Sequence, residues 1–301
     1  MNKSVRERLG RSRAWIYRNA RPVDLARCRF HFENGAAGDV LAALAAYQND
    51  DGGFGHALEP DCWNPNSSPI QTWAAVEILR EIGFDDKNHE TIRGILRYLD
   101  SGKDFSHGVW QNCVPTNNDY PCAPWWRWSG DDGHYNPTAN LCGFILKYAD
   151  EESALYEKGV AVAGRAVDSF LSAADVNMIG DGHLNLCYLR LLQDHGGTGN
   201  LRSALIERIK LRESEKPDLF ADGVALEYLA AFRDELGLIA ERTDFVETVF
   251  RYQFDSQLED GTWDVPWSWG GYAEQWAVAK NWWKAYGIIA VMLFWKRFGF
   301  I

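Results

Sequence analysis

The 301-residue sequence predicts an all-α protein: an α/α toroid of about six helical hairpins, with inner and outer helix rings, forming one domain over residues 1–301. Three observations predict it. Helical apolar patterns recur from end to end without a low-complexity stretch or a Pro/Ser-rich linker. Helices that are apolar nearly all round alternate with amphipathic ones, which is the signature of buried helices backed by half-buried ones. The long connections fall before helices of the first kind, so a ring of hairpins gathers them at one end.

Segments near 4–18 and 39–47 are available to complete the set of helices. The inner helices are IQTWAAVEILREI (70–82), NPTANLCGFILKY (136–148), GHLNLCYLRLLQ (182–193), DGVALEYLAAF (222–232) and the final stretch from about Glu274. Each must be covered on every side. An amphipathic outer helix follows each of the first four. In residues 88–100, Ile92, Leu96 and Leu99 share a face while Glu90, Arg93 and Arg97 point away; in 200–212, Leu201, Leu205 and Ile209 do the same. The connections 48–69, 101–135 and 255–273 carry Trp and acidic residues together, and loops this long are usually functional.

Composition narrows the partners. The formal net charge of -11 argues against nucleic acid or an anionic membrane, both of which reward clustered Lys and Arg. The 14 Trp imply either a Trp-rich core or an aromatic-lined groove. The six cysteines (Cys28, Cys62, Cys113, Cys122, Cys142 and Cys187) show no C-x-x-C spacing, and the basic N-terminus lacks the apolar stretch of a secretory signal. Reduced thiols in a cytoplasmic protein are expected. The longest apolar run, GIIAVMLFW at 287–295, is far short of the ~20 residues that span a bilayer, so no transmembrane segment is expected. The oligomeric state is not legible.

Two turns share a pattern. QNDDGGFG (48–55) precedes the inner helix SPIQTWAAVEIL, QLEDGTW occupies 257–263, and SHGVWQ (106–111) is a degenerate third copy. The glycines at 52, 53 and 55 would permit positive φ, Phe54 or Trp263 would plug between helices, and the Gln amide would tie to backbone at a helix end. These turns resemble the repeats of the protein prenyltransferase β subunits and the squalene/hopene cyclases, the latter known for Q-W repeats. The combination of GGFGHALEPD and SSP with APWW and YNPTA also resembles a group of bacterial proteins loosely labelled prenyltransferase-like or cyclase-like.

The resemblance implies an isoprenoid or other apolar substrate in a Trp-lined cavity and an acid that protonates an alkene. The family's Asp-x-Asp-Asp motif corresponds to SGDDGHYNPTANLCGFIL, where Asn136, Pro137 and Thr138 replace the last acids and their Thr. The acid must then be Asp131 or Asp132, with His134 beside them, or Glu59 or Asp61 from another loop. The prenyltransferase zinc site has its nearest counterpart in Asp181, His183 and Cys187, where His and Cys four apart share a helix face. The family's Asp-x-Cys pair is absent and Cys187 sits in an apolar helix, so neither metal nor cofactor is expected.

Read without the family, the long loops offer carboxylates and imidazoles ringed by indoles. Glu59 and Asp61, stiffened by Pro60 between them, are the leading catalytic candidates, followed by Asp131, Asp132 and His134. His56, Trp63, Trp125, Trp126, Trp128, Asn136, Trp263, Trp267, Trp269 and Glu274 are the substrate-binding candidates. Carboxylates with aromatic walls suit a carbocation cascade, through cation-π attraction, or sugar chemistry, in which acid and base flank a glycosidic bond. Three functions follow: a terpenoid cyclase/prenyltransferase-like enzyme, a glycoside hydrolase or lyase on an α/α barrel, and a catalytically silent toroid that binds a ligand or protein.

Overall fold

The computed structural model describes residues 3–130, 134–172, 182–195, 200–213 and 243–301. The protein is mainly helical. Its helices are α1 (Lys3–Asn19), α2 (Pro22–Phe32), α3 (Ala37–Ala45), α4 (Pro69–Glu81), α5 (Glu90–Asp100), α6 (Thr138–Tyr148), α7 (Ala154–Ser172), α8 (Gly182–His195), α9 (Leu201–Glu213), α10 (Thr243–Ser256) and α11 (Ala273–Arg297). Among the described residues the strands are confined to one antiparallel ribbon, β1 (Phe105–Ser106) with β2 (Val109–Trp110). The expected helix at 222–232 lies outside the described residues. No helix among the described residues is long and apolar enough to cross a membrane.

The chain divides into two compact units: Met1–Ala43 with Ile206–Ser268 and Glu274–Ile301, and Leu44–Leu205 with Trp269–Ala273. In the first, Trp295 is fully buried and donates its indole N–H to Gln253 Oε1 at 2.8 Å. Trp263 meets it edge-on at 6.0 Å and donates to the Gln253 carbonyl at 2.7 Å. The final helix α11 was expected to be covered on every side, but only its C-terminal half is. Ala285 and Ile288–Met292 are buried, whereas the first turns expose Glu274 and Val278. The cause is legible in the sequence, since Glu274, Gln275, Lys280, Asn281 and Lys284 interrupt the first half and the second half is almost continuously apolar.

Helix α2 is not marked by the apolar pattern because it buries charge. Asp24 is fully buried and accepts from Arg21 Nε at 2.7 Å and Arg27 Nη1 at 3.1 Å. Pro22 starts the helix, where its missing N–H costs nothing.

In the second unit α6 is the central helix. Every residue from Thr138 to Leu146 is buried, and it packs against α4, α7 and α8. Ser68 caps α4 ahead of Pro69. Helices α4, α6 and α8 are not purely apolar, because a polar seam joins them. Glu77 on α4 accepts from Arg190 Nη2 at 2.8 Å and Asn140 Nδ2 at 2.7 Å, and Arg80 grips Asp194 through Nη1 at 2.9 Å and Nη2 at 2.5 Å.

The seam has a pH signature. Despite burial, which raises it, the Glu77 carboxyl lies below its ordinary value of 4.5 because Arg190 and Arg80 stabilise the anion. A depressed folded-state value means that the unfolded chain binds the proton first. The stabilisation is therefore complete above about pH 4.5 and is lost as pH falls through the folded value. Urea midpoints measured from pH 6 to pH 3 should fall for the wild type. The fall should be shallower for the double variant Glu77→Met/Arg190→Met.

The two Gln turns adopt closely matching geometry, one in each unit. Gln48 Nε2 donates to the Gly52 carbonyl at 2.9 Å and the Thr91 carbonyl at 3.3 Å, and Gln257 Nε2 donates to the Gly261 carbonyl at 3.3 Å and Ser12 Oγ at 2.9 Å. Gly52 and Gly261 both sit at φ 93°. Asp51 Oδ1 caps the Gly53 N–H at 3.0 Å and Asp260 Oδ1 caps the Thr262 N–H at 2.9 Å. Phe54 and Trp263 are the buried plugs. One expectation is corrected: of the glycines at 52, 53 and 55, only Gly52 has positive φ. Gly53 and Gly55 are required by close approach, since a Cβ there would lie 2.6 Å from Ser67 Cβ and 2.2 Å from the Pro65 oxygen.

Candidate acid and aromatic site

The turn at Gly52 launches a loop pinned by side-chain amides as well as by backbone hydrogen bonds such as His56 N to Asn64 O at 3.0 Å and Ser68 N to Phe54 O at 3.0 Å. Gln71 on α4 accepts from the Leu58 N–H at 3.0 Å and donates to the Asn64 carbonyl at 2.7 Å, fixing the loop at two points. Asn64 in turn donates to Thr116 Oγ1 at 2.8 Å and Asn117 Oδ1 at 2.9 Å, and Asn117 donates to the Trp126 carbonyl at 2.8 Å. Two backbone bonds complete the join: Ala123 N to Asp61 O at 2.8 Å and Trp63 N to Pro121 O at 3.0 Å. Buried amides with satisfied partners make such a join rigid.

This frame positions the two leading acids. Glu59 and Asp61 are only 4% and 2% exposed. Glu59 Oε2 accepts the Asp61 backbone N–H at 2.9 Å, and Asp61 Oδ1 accepts the indole N–H of Trp269 at 2.8 Å. Trp63 packs edge-on to Trp269 with centroids 6.4 Å apart and donates to the Pro60 carbonyl at 3.1 Å. Residues far apart in sequence thus converge on one carboxylate with indoles beside it. Next along the chain, Tyr272 accepts from Arg127 Nη2 at 3.2 Å.

The other candidates fall into four groups. Trp125, Trp126 and Trp128 belong to the adjoining loop; Trp125 is 44% exposed, Trp126 is buried and Trp128 is half-buried. His56 is exposed at φ 59° and its Nε2 meets Asn49 Oδ1 at 2.9 Å, a turn contact. At the start of α6, His134 Nδ1 accepts from the Asn136 N–H at 3.1 Å, and Asn136 Oδ1 accepts from Cys187 Sγ at 3.6 Å. Trp263, Trp267 and Glu274 belong to the other unit, where Trp263 is a core plug, Trp267 meets Trp283 edge-on at 5.3 Å and Glu274 is exposed. Asp131, Asp132 and Asp181 lie outside the described residues.

Of the metal candidates, His183 packs edge-on to Trp73 at 4.3 Å and Cys187 is turned to Asn136. Among the described residues no group of three His, Cys, Asp or Glu is placed to hold a metal ion. All six cysteines are free thiols.

Sequence reading missed the amide frame of Gln71, Asn64 and Asn117, and the Arg127–Tyr272 pair. Loop amides carry no periodic signal, and their importance shows only in what they bridge. The indole N–H groups of Trp73, Trp126 and Trp128 are buried and make no hydrogen bond among the described residues. Buried indole donors normally find an acceptor.

The class that fold and site define is a mainly helical protein with a buried acid and aromatic site on long loops. No family model matches the chain, and neither a curated protein nor a solved structure matches it.

Proposed function

We propose that the chain is a cytoplasmic, terpenoid cyclase/prenyltransferase-like enzyme built on an α/α toroid, with Asp61 as the acid that opens the reaction. One observation carries the proposal: a carboxyl shielded from water accepts an indole hydrogen bond from Trp269 with Trp63 alongside. An alkene is protonated only by a carboxyl in its acid form, so the reading requires Asp61 to carry its proton when substrate binds. In the reaction proposed, Asp61 delivers its proton to a substrate alkene carbon and the adjacent carbon becomes cationic. Indole faces stabilise that cation, each by roughly 0.5 to 2 kcal/mol. Loss of a proton from a neighbouring carbon to a carboxylate then regenerates an alkene, giving isomerisation or cyclisation without any change in composition.

Squalene and C15 to C20 prenyl diphosphates are the substrates to try, with products read by gas chromatography and mass spectrometry. Asp61→Asn keeps an oxygen to accept the Trp269 N–H and should fold, yet turnover should fall at least ~100-fold, the usual scale of a lost general acid. Glu59→Gln should lower it less. Full turnover in Asp61→Asn would contradict the assignment.

A carbohydrate-active enzyme is the second reading, favoured by the exposed ring of Trp125 on the loop that also carries Trp126 and Trp128, a flat apolar face of the kind on which a sugar ring stacks. Oligosaccharides should then stabilise the chain, by ~2.7 kcal/mol at 100 times Kd, whereas squalene should not.

A further inference from the structure

Cys62 and Cys122 face each other across the only contact of its kind between the two loops that frame Asp61 among the described residues, an isolated antiparallel bridge. The hydrogen-bond pattern fixes what sort of pair they form. The bonds run from Trp63 N to Pro121 O and from Ala123 N to Asp61 O, flanking the two cysteines and not joining them. Cys62 and Cys122 are therefore a non-hydrogen-bonded pair, the type in which Cα atoms stand about 4.5 Å apart and side chains lie on the same face. That spacing falls inside the window that a disulfide accepts.

The side chains agree. Cys62 Sγ donates to Asn117 Oδ1 at 3.4 Å and Cys122 Sγ donates to the carbonyl of the same residue at 3.6 Å, so both sulfurs turn to one buried asparagine. No metal-binding group is formed there among the described residues. We propose that Cys62 and Cys122 are a reversible disulfide site, an oxidation clasp that locks the Asp61 loop to the 113–128 loop when a peroxide is present. Burial pushes both thiols up, Cys62 the further of the two, which leaves Cys122 the more readily ionised sulfur and makes its oxidation slow, so the clasp closes only under sustained excess of peroxide.

The chemistry balances with hydrogen peroxide as oxidant. Cys122 takes one oxygen to become a sulfenic acid as the first water leaves. The Cys62 sulfur then displaces the hydroxyl, the S–S bond forms and a second water leaves. Two thiols are oxidised by two electrons, and one peroxide is reduced to two waters. Thiol reductants restore the starting state.

The test is oxidation of the purified chain with excess hydrogen peroxide, followed by alkylation, non-reducing digestion and mass spectrometry. The expected product is a Cys62–Cys122 linked peptide pair, two hydrogens lighter than its reduced parts and released by dithiothreitol. Because the bond closes a long loop, the thermal midpoint should rise by roughly 5 °C on oxidation. Cys113→Ser, which removes the half-exposed neighbouring thiol, should retain both results, and Cys122→Ser should lose both. Should Cys122→Ser fail to fold, the Cys113→Ser measurement decides alone. Linkage through Cys113, over-oxidation of Cys122 without a link, or recovery of Cys62 and Cys122 as alkylated thiols would each overturn the proposal.

Discussion

Gly52→Ala is expected to destabilise the protein by roughly 3 to 5 kcal/mol, and Gly261→Ala by a similar amount. Both glycines sit at φ 93°, where an L side chain is strained. Space is also lacking. A Cβ on Gly52 would lie 2.1 Å from the carbonyl oxygen of Gly94, and one on Gly261 would lie 2.5 Å from the Arg11 carbonyl carbon. These neighbours are helix backbone of α5 and α1 and cannot step aside as a side-chain end could. Strain and overpacking each cost about 1 to 3 kcal/mol, and here they act together. Gly270 provides the control. Its φ of 69° is also positive, but nothing lies within 4 Å of a Cβ there. Gly270→Ala should therefore cost only about 1 kcal/mol. Urea unfolding at neutral pH separates the cases, and a loss below about 1 kcal/mol for Gly52→Ala would show that the turn is not held against α5.

Glu77→Ala is expected to cost about 3 kcal/mol, because it leaves the largely buried Arg190 guanidinium without its carboxylate. Glu77 is 10% exposed and its ion-pair partner Arg190 is 13% exposed. Arg80 lies 3.5 Å from the same carboxylate, and Asp194 remains as its other partner. The arrangement distinguishes removal of one partner from removal of both. Replacing Glu77 and Arg190 together by methionine takes the charge out along with its desolvation, so the double variant should lie well above Glu77→Ala in stability. Equal losses in the two variants would show that packing volume, and not the uncompensated charge, sets the cost.

The parts of this architecture that sequence reveals are those governed by local repetition. The helix expected at 70–82 is observed at Pro69–Glu81, and that at 200–212 at Leu201–Glu213, because a continuous apolar stripe has few other ways to be buried. The turn motif was also legible, since Gln, Asp, Gly and an aromatic at fixed offsets specify a single local geometry. Helix α2 escaped because Asp24 and Arg27 stand where a core-facing helix ordinarily carries apolar residues, and only their mutual pairing makes them interior. The ribbon at Phe105–Trp110 escaped because two-residue strands leave no period to read.

The site was half legible for the same reason. Glu59, Asp61 and Trp63 stand together in one loop, and their spacing flagged them. Trp269 belongs with them only through a hydrogen bond to Asp61 across 208 positions of sequence, and nothing local marks it out from Trp263 or Trp267, which belong to the other unit. Indoles of identical chemistry thus serve as core plug in one place and as a partner of an acid in another, and long-range packing decides which.

The account rests on Asp61, Trp63 and Trp269 forming a place where a small molecule sits. Indole N–H resonances in a nitrogen-15 correlated NMR spectrum report on this directly, with Trp63→Phe and Trp269→Phe supplying the assignments. On titration with a ligand that stabilises the chain, squalene-like or oligosaccharide, the Trp63 and Trp269 signals should move while that of the core residue Trp295 stays in place. A ligand that binds and leaves both signals unmoved would contradict the account.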